Sequence, residues 1–119
     1  MIIVTWNVRG PRGPERRRWV RHLIEQEKID IIMLQETKLE SISNSALRKI
    51  GAGRLRKWVS KKAQGLAGGF LIGWNSALVE DIESCVGNFG VAVLFRRRDT
   101  GFTWATVNIY GPHASDLRR

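Results

Sequence analysis

Glu36 stands where an apolar run stops. In Asp30-Ile31-Ile32-Met33-Leu34-Gln35-Glu36-Thr37-Lys38 four consecutive apolar residues, two of them β-branched, are bounded by polar ones. Such a run reads as a strand buried on both faces, which puts Glu36 at its carboxyl end. In open α/β sheets ligand crevices form at that end, because loops leaving the strands converge there over a rigid floor. A carboxylate held at such a point can be aimed at a cation. Asn7 ends the run Met1-Ile2-Ile3-Val4-Thr5-Trp6 in the same manner, so two polar residues leave two strands at one edge. Taken singly, each has a plainer reading: Glu36 as the first solvated residue after a core strand, Asn7 as a strand-end turn residue.

The elements that must hold these two residues follow from periodicity. Residues 1–6 suit a strand. Gly10-Pro11-Arg12-Gly13-Pro14 is a turn by composition, and Pro14 suits the first position of a helix, where no N–H is needed. From residue 15 to about 27, Trp19, Val20, Leu23 and Ile24 recur at helical spacing while Arg16, Arg17, Arg18, Arg21, Glu25 and Gln26 fill the other face. Strand, helix and strand then form a right-handed βαβ unit with its two strands parallel. Residues 39–50 read as a second helix capped by Ser41 or Ser43 and stopped by Gly51. Beyond it the texture changes to short strands at 56–60, 68–74, 78–84, 91–97 and 102–110. Arg98-Asp99-Thr100-Gly101 is a hairpin turn between the last two, so the second half reads as antiparallel. No repeat or linker divides the chain, and residues 1–119 read as a single domain.

Composition narrows the partners. Twenty Lys+Arg against 11 Asp+Glu give a formal charge of +9, which favours a polyanion such as nucleic acid over acidic small molecules. No apolar run approaches about 18 residues and the start has no basic leader, so the sequence predicts neither membrane insertion nor export. One cysteine, Cys85, allows no internal disulfide; an intracellular, reducing setting and a buried or half-buried thiol are expected.

Four segments in order, Thr5-Trp6-Asn7-Val8-Arg9-Gly10, Leu34-Gln35-Glu36-Thr37-Lys38, Gly68-Gly69-Phe70 and Val107-Asn108-Ile109-Tyr110-Gly111-Pro112, resemble the endonuclease/exonuclease/phosphatase superfamily. Within it, the chain looks most like the apurinic-type endonuclease domain of plant LINE-type retrotransposons. The resemblance implies the amino-terminal half of a two-sheet, DNase I-like α/β sandwich with a βαβ start followed by antiparallel strands. It also implies cleavage of DNA phosphodiesters with Mg2+, Mn2+ being the alternative. By resemblance, Glu36 is the metal ligand, Asn7 orders the metal and its hydrogen bonds, and Tyr110 lies near the scissile phosphate. The chemistry agrees: magnesium prefers oxygen ligands and keeps several waters, and amide and phenol groups can donate to phosphate without charge. A nuclear setting follows if the chain serves a retroelement.

The departures shape the expectation as much as the matches. Arg9 replaces an acidic residue common in apurinic-type enzymes and could contact phosphate, as could Arg16, Lys38 and Arg96 in the basic segments. The Gly-Asp-Phe-Asn-like and Ser-Asp-His segments of the family, which hold the water-activating groups, do not occur in these 119 residues; His113-Ala114-Ser115-Asp116 has the wrong order and reads as a loop. His22 reads as a half-exposed structural residue. Weak or absent turnover is therefore expected, with a non-catalytic nucleic-acid-binding module or a decayed gene fragment as the alternatives. Phe70, Ile72, Trp104 and Val107 are expected to be partly uncovered where a second half would pack, which favours self-association.

Overall fold

The computed structural model describes residues 1–7, 14–35, 37, 42–61, 69–87 and 90–109. Their order is β1 (Ile3–Asn7), α1 (Pro14–Glu27), β2 (Ile31–Gln35), α2 (Asn44–Ile50), β3 (Lys57–Lys61), β4 (Phe70–Trp74), β5 (Val79–Val86), β6 (Gly90–Arg97) and β7 (Thr103–Ile109). They make an α/β sandwich of two sheets, ordered β1-β2-β4-β3 and β5-β6-β7. The expected βαβ start is present: β1 and β2 are parallel neighbours, with Ile3 opposite Ile31 and Asn7 opposite Gln35. Every other pairing is antiparallel.

Side-chain alternation divides the apolar residues into two cores. On one face of the first sheet, Ile32, Leu34 and Leu71 pack against Val20 and Ile24 of α1 and Leu47 and Ile50 of α2. On the other, Ile31, Phe70, Ile72 and Trp74 meet Val91, Val93 and Phe95 of the second sheet, with the Trp74 and Phe95 rings edge to face at 5.3 Å. Each fully buried aliphatic or phenyl side chain adds about 1.5–3 kcal/mol. Gly73 lets β4 pass under Trp58, whose indole carbons lie 2.6 Å from where a Cβ would stand; that indole then donates to Leu55 O at 3.0 Å.

Local chemistry sets the boundaries. Pro14 opens α1. Residues 42 and 43 precede α2 rather than belonging to it, and 39–41 lie outside the described residues. The later start has a cause: Ser43 is extended, and its Oγ accepts from Ala46 N at 3.1 Å, a cap that ends the non-helical backbone there. At the hairpin, Gly101 takes a φ of +74° and Arg97 N donates to Phe102 O at 2.8 Å.

Several expected exposures are corrected. Phe70 and Ile72 are fully buried, because the second sheet already covers them, while Trp104 is half-buried and Val107 is exposed. Trp19 is 57% exposed and packs sideways on Trp6, ring centroids 4.8 Å apart. Cys85 is exposed rather than buried, lying opposite Ala92 on the outer face of the second sheet. His22 is exposed.

The sandwich is asymmetric. Lys57 of β3 reaches Asp81 of β5, β4 packs on β6, and Gln35 of β2 reaches Asn108 of β7. No described strand stacks over β1, whose row Ile3, Thr5, Asn7, on the face turned toward the second sheet, is exposed.

The end of the sandwich away from Asn7 is tied by Asp30, which is 4% exposed. Its Oδ2 accepts from Ile2 N at 3.0 Å, and its Oδ1 accepts from Arg54 Nη2 at 2.6 Å and Asn75 Nδ2 at 3.3 Å. Arg54 also donates to Ile29 O at 2.8 Å and Lys28 O at 3.2 Å.

Candidate active site

Parallel pairing puts the carboxyl ends of β1 and β2 side by side. Asn7 and Gln35 are register partners and share a face, and antiparallel pairing puts Phe70, the first residue of β4, on the other side of Gln35. Beneath Gln35 lies β7. Its residues alternate strictly, with Trp104, Thr106 and Asn108 turned inward and Thr103, Ala105, Val107 and Ile109 exposed. Gln35 Nε2 donates to Asn108 Oδ1 across the gap between the sheets. Three carboxamides, Asn7, Gln35 and Asn108, thus gather at one edge, graded from exposed through half-buried to 2% exposed.

Glu36 lies outside the described residues, but both of its sequence neighbours are anchored. Gln35 is held by Asn108, and Thr37 is 3% exposed with its carbonyl accepting from Arg16 Nη2 at 3.1 Å. Arg16, given above as a phosphate contact, is half-buried and directed at this strand exit from the first turn of α1. Arg9, Lys38 and Tyr110 also lie outside the described residues; Tyr110 follows the last residue of β7, two positions after Asn108.

Arg96 is not brought to this edge. Val91 is the partner of Asn108 and Arg96 the partner of Thr103, so Arg96 stands five residues, about 17 Å, along β6 at ~3.4 Å per residue. There Arg96 and Arg98 both pair with Glu80, at 3.2 and 3.3 Å. Arg97 holds Asp99 at 2.7 Å and lowers the pKa of that carboxyl through the hydrogen bond. The three arginines of this segment are therefore engaged with Glu80 and Asp99.

The donor set suits a hard cation. At this edge the described side chains offer amide oxygens and no thiol or imidazole, and among the described residues no group of three or more His, Cys, Asp or Glu gathers anywhere. Asn7, exposed at this edge, offers an oxygen of the kind that a hard cation accepts beside water or phosphate oxygens. Asn108 is the residue that the sequence reading missed. Its signal was present in the alternation of β7, which puts a carboxamide in the inward-facing row.

A model of the Endonuclease/Exonuclease/phosphatase family matches residues 4–119. No curated protein matches the sequence. Among solved structures, the human Nocturnin catalytic domain with a bound sulfate anion is similar at a TM-score of 0.66 and 12% identity, over 87% of this chain and 48% of that one. D. rerio TDP2 complexed with a single-strand DNA product is similar at 0.61 and 18%, over 88% and 43%. The AP endonuclease LMAP from Leishmania major is similar at 0.64 and 20%, over 98% and 43%. The chain spans about half the length of these structures. At such identities the likeness is one of fold.

Proposed function

We propose, from the premise that this chain belongs to the Endonuclease/Exonuclease/phosphatase family, that it is the amino-terminal half of a divalent-metal phosphodiesterase domain acting on DNA, of the retroelement endonuclease type. The observation that carries this reading is the parallel register of Asn7 with Gln35, which brings the end of β1 beside the strand exit that Glu36 follows. Glu36 is the metal ligand, Asn7 the amide that orders the bound ion and a phosphate oxygen, and Tyr110 a phenol donor to the phosphate. Magnesium, when bound, would polarise the phosphoryl oxygens and stabilise charge on the leaving oxygen. Arg9 and Lys38, close in sequence to Asn7 and Glu36, supply cations for the phosphate backbone. Two similar structures support nucleic acid as the partner, one holding a DNA product and one an AP endonuclease. The retroelement assignment rests on the resemblance carried by the four sequence segments, with Arg9 in place of the acidic residue, and a nuclear setting goes with it.

Turnover by the 119 residues is weak, because they hold no Ser-Asp-His segment to activate water. Each missing general acid or base is worth about 10²- to 10⁴-fold. The test is nicking of supercoiled plasmid by the purified chain with Mg2+ or with chelator, beside Glu36→Gln. Weak cutting that needs both metal and Glu36 is the expected result; vigorous metal-dependent cutting would refute the account of the missing groups. Salt-sensitive DNA binding unchanged by Glu36→Gln, with no cutting at all, would favour the second reading, a non-catalytic binding module or decayed fragment, for which the charge of +9 is the observation.

Self-association belongs to the same reading. Val107 and Ile109 are 61% and 67% exposed on β7, an edge strand among the described residues. Edge strands of this uncharged kind pair with other chains. Sedimentation should show a concentration-dependent dimer that Val107→Lys shifts back to monomer. A parent chain that stays monomeric at high concentration would contradict it.

A further inference from the structure

The end of the sandwich away from Asn7 holds an open cleft of about 530 Å³, lined by Ala52, Gly53, Arg54 and Arg56 from the turn after α2 and by Asn75 and Ser76 from the loop after β4. Its volume is of the order that small ligands occupy. Antiparallel pairing brings the two segments together: Lys57 of β3 is the partner of Trp74 of β4, and Arg56 N donates to Trp74 O at 3.2 Å. Both walls are fixed. On one, Asn75 Oδ1 accepts from Ala77 N at 3.2 Å, and Arg98 Nε donates to Ser76 O at 2.9 Å. On the other, the chain leaves α2 through two successive left-handed residues, Ala52 at a φ of +55° and Gly53 at +74°, a conformation that a residue with a Cβ rarely adopts.

The two arginines are held from behind. Arg54 gives its Nε to Ile29 O and its Nη2 to Lys28 O and Asp30 Oδ1, and Arg56 gives its Nε to Gly53 O at 3.2 Å. These bonds leave Arg54 Nη1 and both terminal nitrogens of Arg56 without a partner among the described residues. Asp30 matches the charge of Arg54, so the uncompensated cation is Arg56. Among the described residues no acidic or aromatic side chain lines the cleft, which suits an anion and offers no ring on which a base could stack. A carboxylate has two oxygens, whereas a phosphate group can offer oxygens to two guanidiniums and a hydroxyl at once. A guanidinium already held in place gives up little further freedom on binding. We propose that this cleft is a phosphate-binding site, in which Arg56 supplies the charge, Arg54 a pre-oriented donor and Ser76 a hydroxyl. Asn75 lies five residues along β4 from Phe70, the partner of Gln35, which is about 17 Å at ~3.4 Å per residue. The site does not depend on the reading of Glu36 as metal ligand. A phosphate group is common to a nucleic-acid backbone and a free nucleotide, and the two are separable in solution.

The experiment follows nitrogen–proton correlation spectra of the full chain, arginine Nε–H groups included, during titration at fixed ionic strength. The probes are inorganic phosphate, thymidine monophosphate and an oligothymidylate without a terminal phosphate. Saturable shifts are expected at Ser76 and at the Nε–H groups of Arg54 and Arg56. Arg56→Gln should weaken binding by about 10-fold or more, the worth of a hydrogen bond to a charged group, with the rest of the spectrum kept. Arg56→Lys should lose less, because the charge stays and only the planar fork goes. Arg17→Gln makes the same change of charge in the first turn of α1 and should leave binding as it was. Tighter binding of the oligothymidylate than of the monophosphate would support the site and identify its ligand as a nucleic-acid backbone. Saturation by phosphate and the monophosphate alone would support it as a site for free phosphate compounds. Absent or unsaturable shifts, or binding that Arg56→Gln leaves intact or that Arg17→Gln weakens equally, would overturn it, since phosphate would then be answering the overall charge of +9.

Discussion

Asp30→Ala is expected to lower the unfolding free energy by about 3 kcal/mol, the lower end of the ~3–5 kcal/mol typical of breaking a buried ion pair from one side. The lower end applies because the abandoned partner, Arg54, has a side chain 34% exposed and can turn to water. Asp30 gathers the first residues of the chain, the turn after α2 and the exit of β4, through Ile2 N, Arg54 and Asn75. Removing it frees Arg54 from its carboxylate and leaves Ile2 N without its acceptor. Asp30→Asn keeps one acceptor oxygen and should lose less. Urea unfolding of the two variants checks the order, and a loss below ~1 kcal/mol for Asp30→Ala, the range of an exposed pair, would mean that water replaces the carboxylate and that the network is ornamental to stability.

Phe70→Ala should cost as much or more, about 3–5 kcal/mol, a large part of the 5–15 kcal/mol that holds a domain folded. Phe70 is fully buried, and its β4 position lies between Gln35 of β2 and Lys61 of β3. Its ring belongs to the core between the sheets, where a cavity would have little room to collapse because two sheets hold their spacing. Val107→Ala on the outer face of β7 serves as the contrast, with a change within ~0.5 kcal/mol. If the two variants unfold at the same urea concentration, the second sheet is not seated on Phe70 as described.

Much of this architecture could be read from local pattern. The β-branched and apolar runs located β1, β2 and the five later strands, Pro14 and the spacing of Val20, Leu23 and Ile24 located α1, and Gly101 marked the last hairpin. Local pattern says nothing about which layer covers a given face, and the errors follow from that. Phe70 and Ile72 are buried because β6 happens to lie over β4, and Trp19 is exposed because α1 presents Val20 and Ile24 to the sheet and leaves the indole at its flank. Cys85 shares the outer face with Ala92, for which no element among the described residues supplies a cover. At the candidate site, Asn7 stood out because it ends a run. Asn108 did not, because its meaning depends on a residue 73 positions away. Arg16 looked like any other member of an arginine run until the helix was docked on the sheet.

The edge built from Asn7, Gln35 and Asn108 is amide throughout, and amides neither gain nor lose protons in the range where proteins stay folded. Acid and base therefore leave its hydrogen bonds alone.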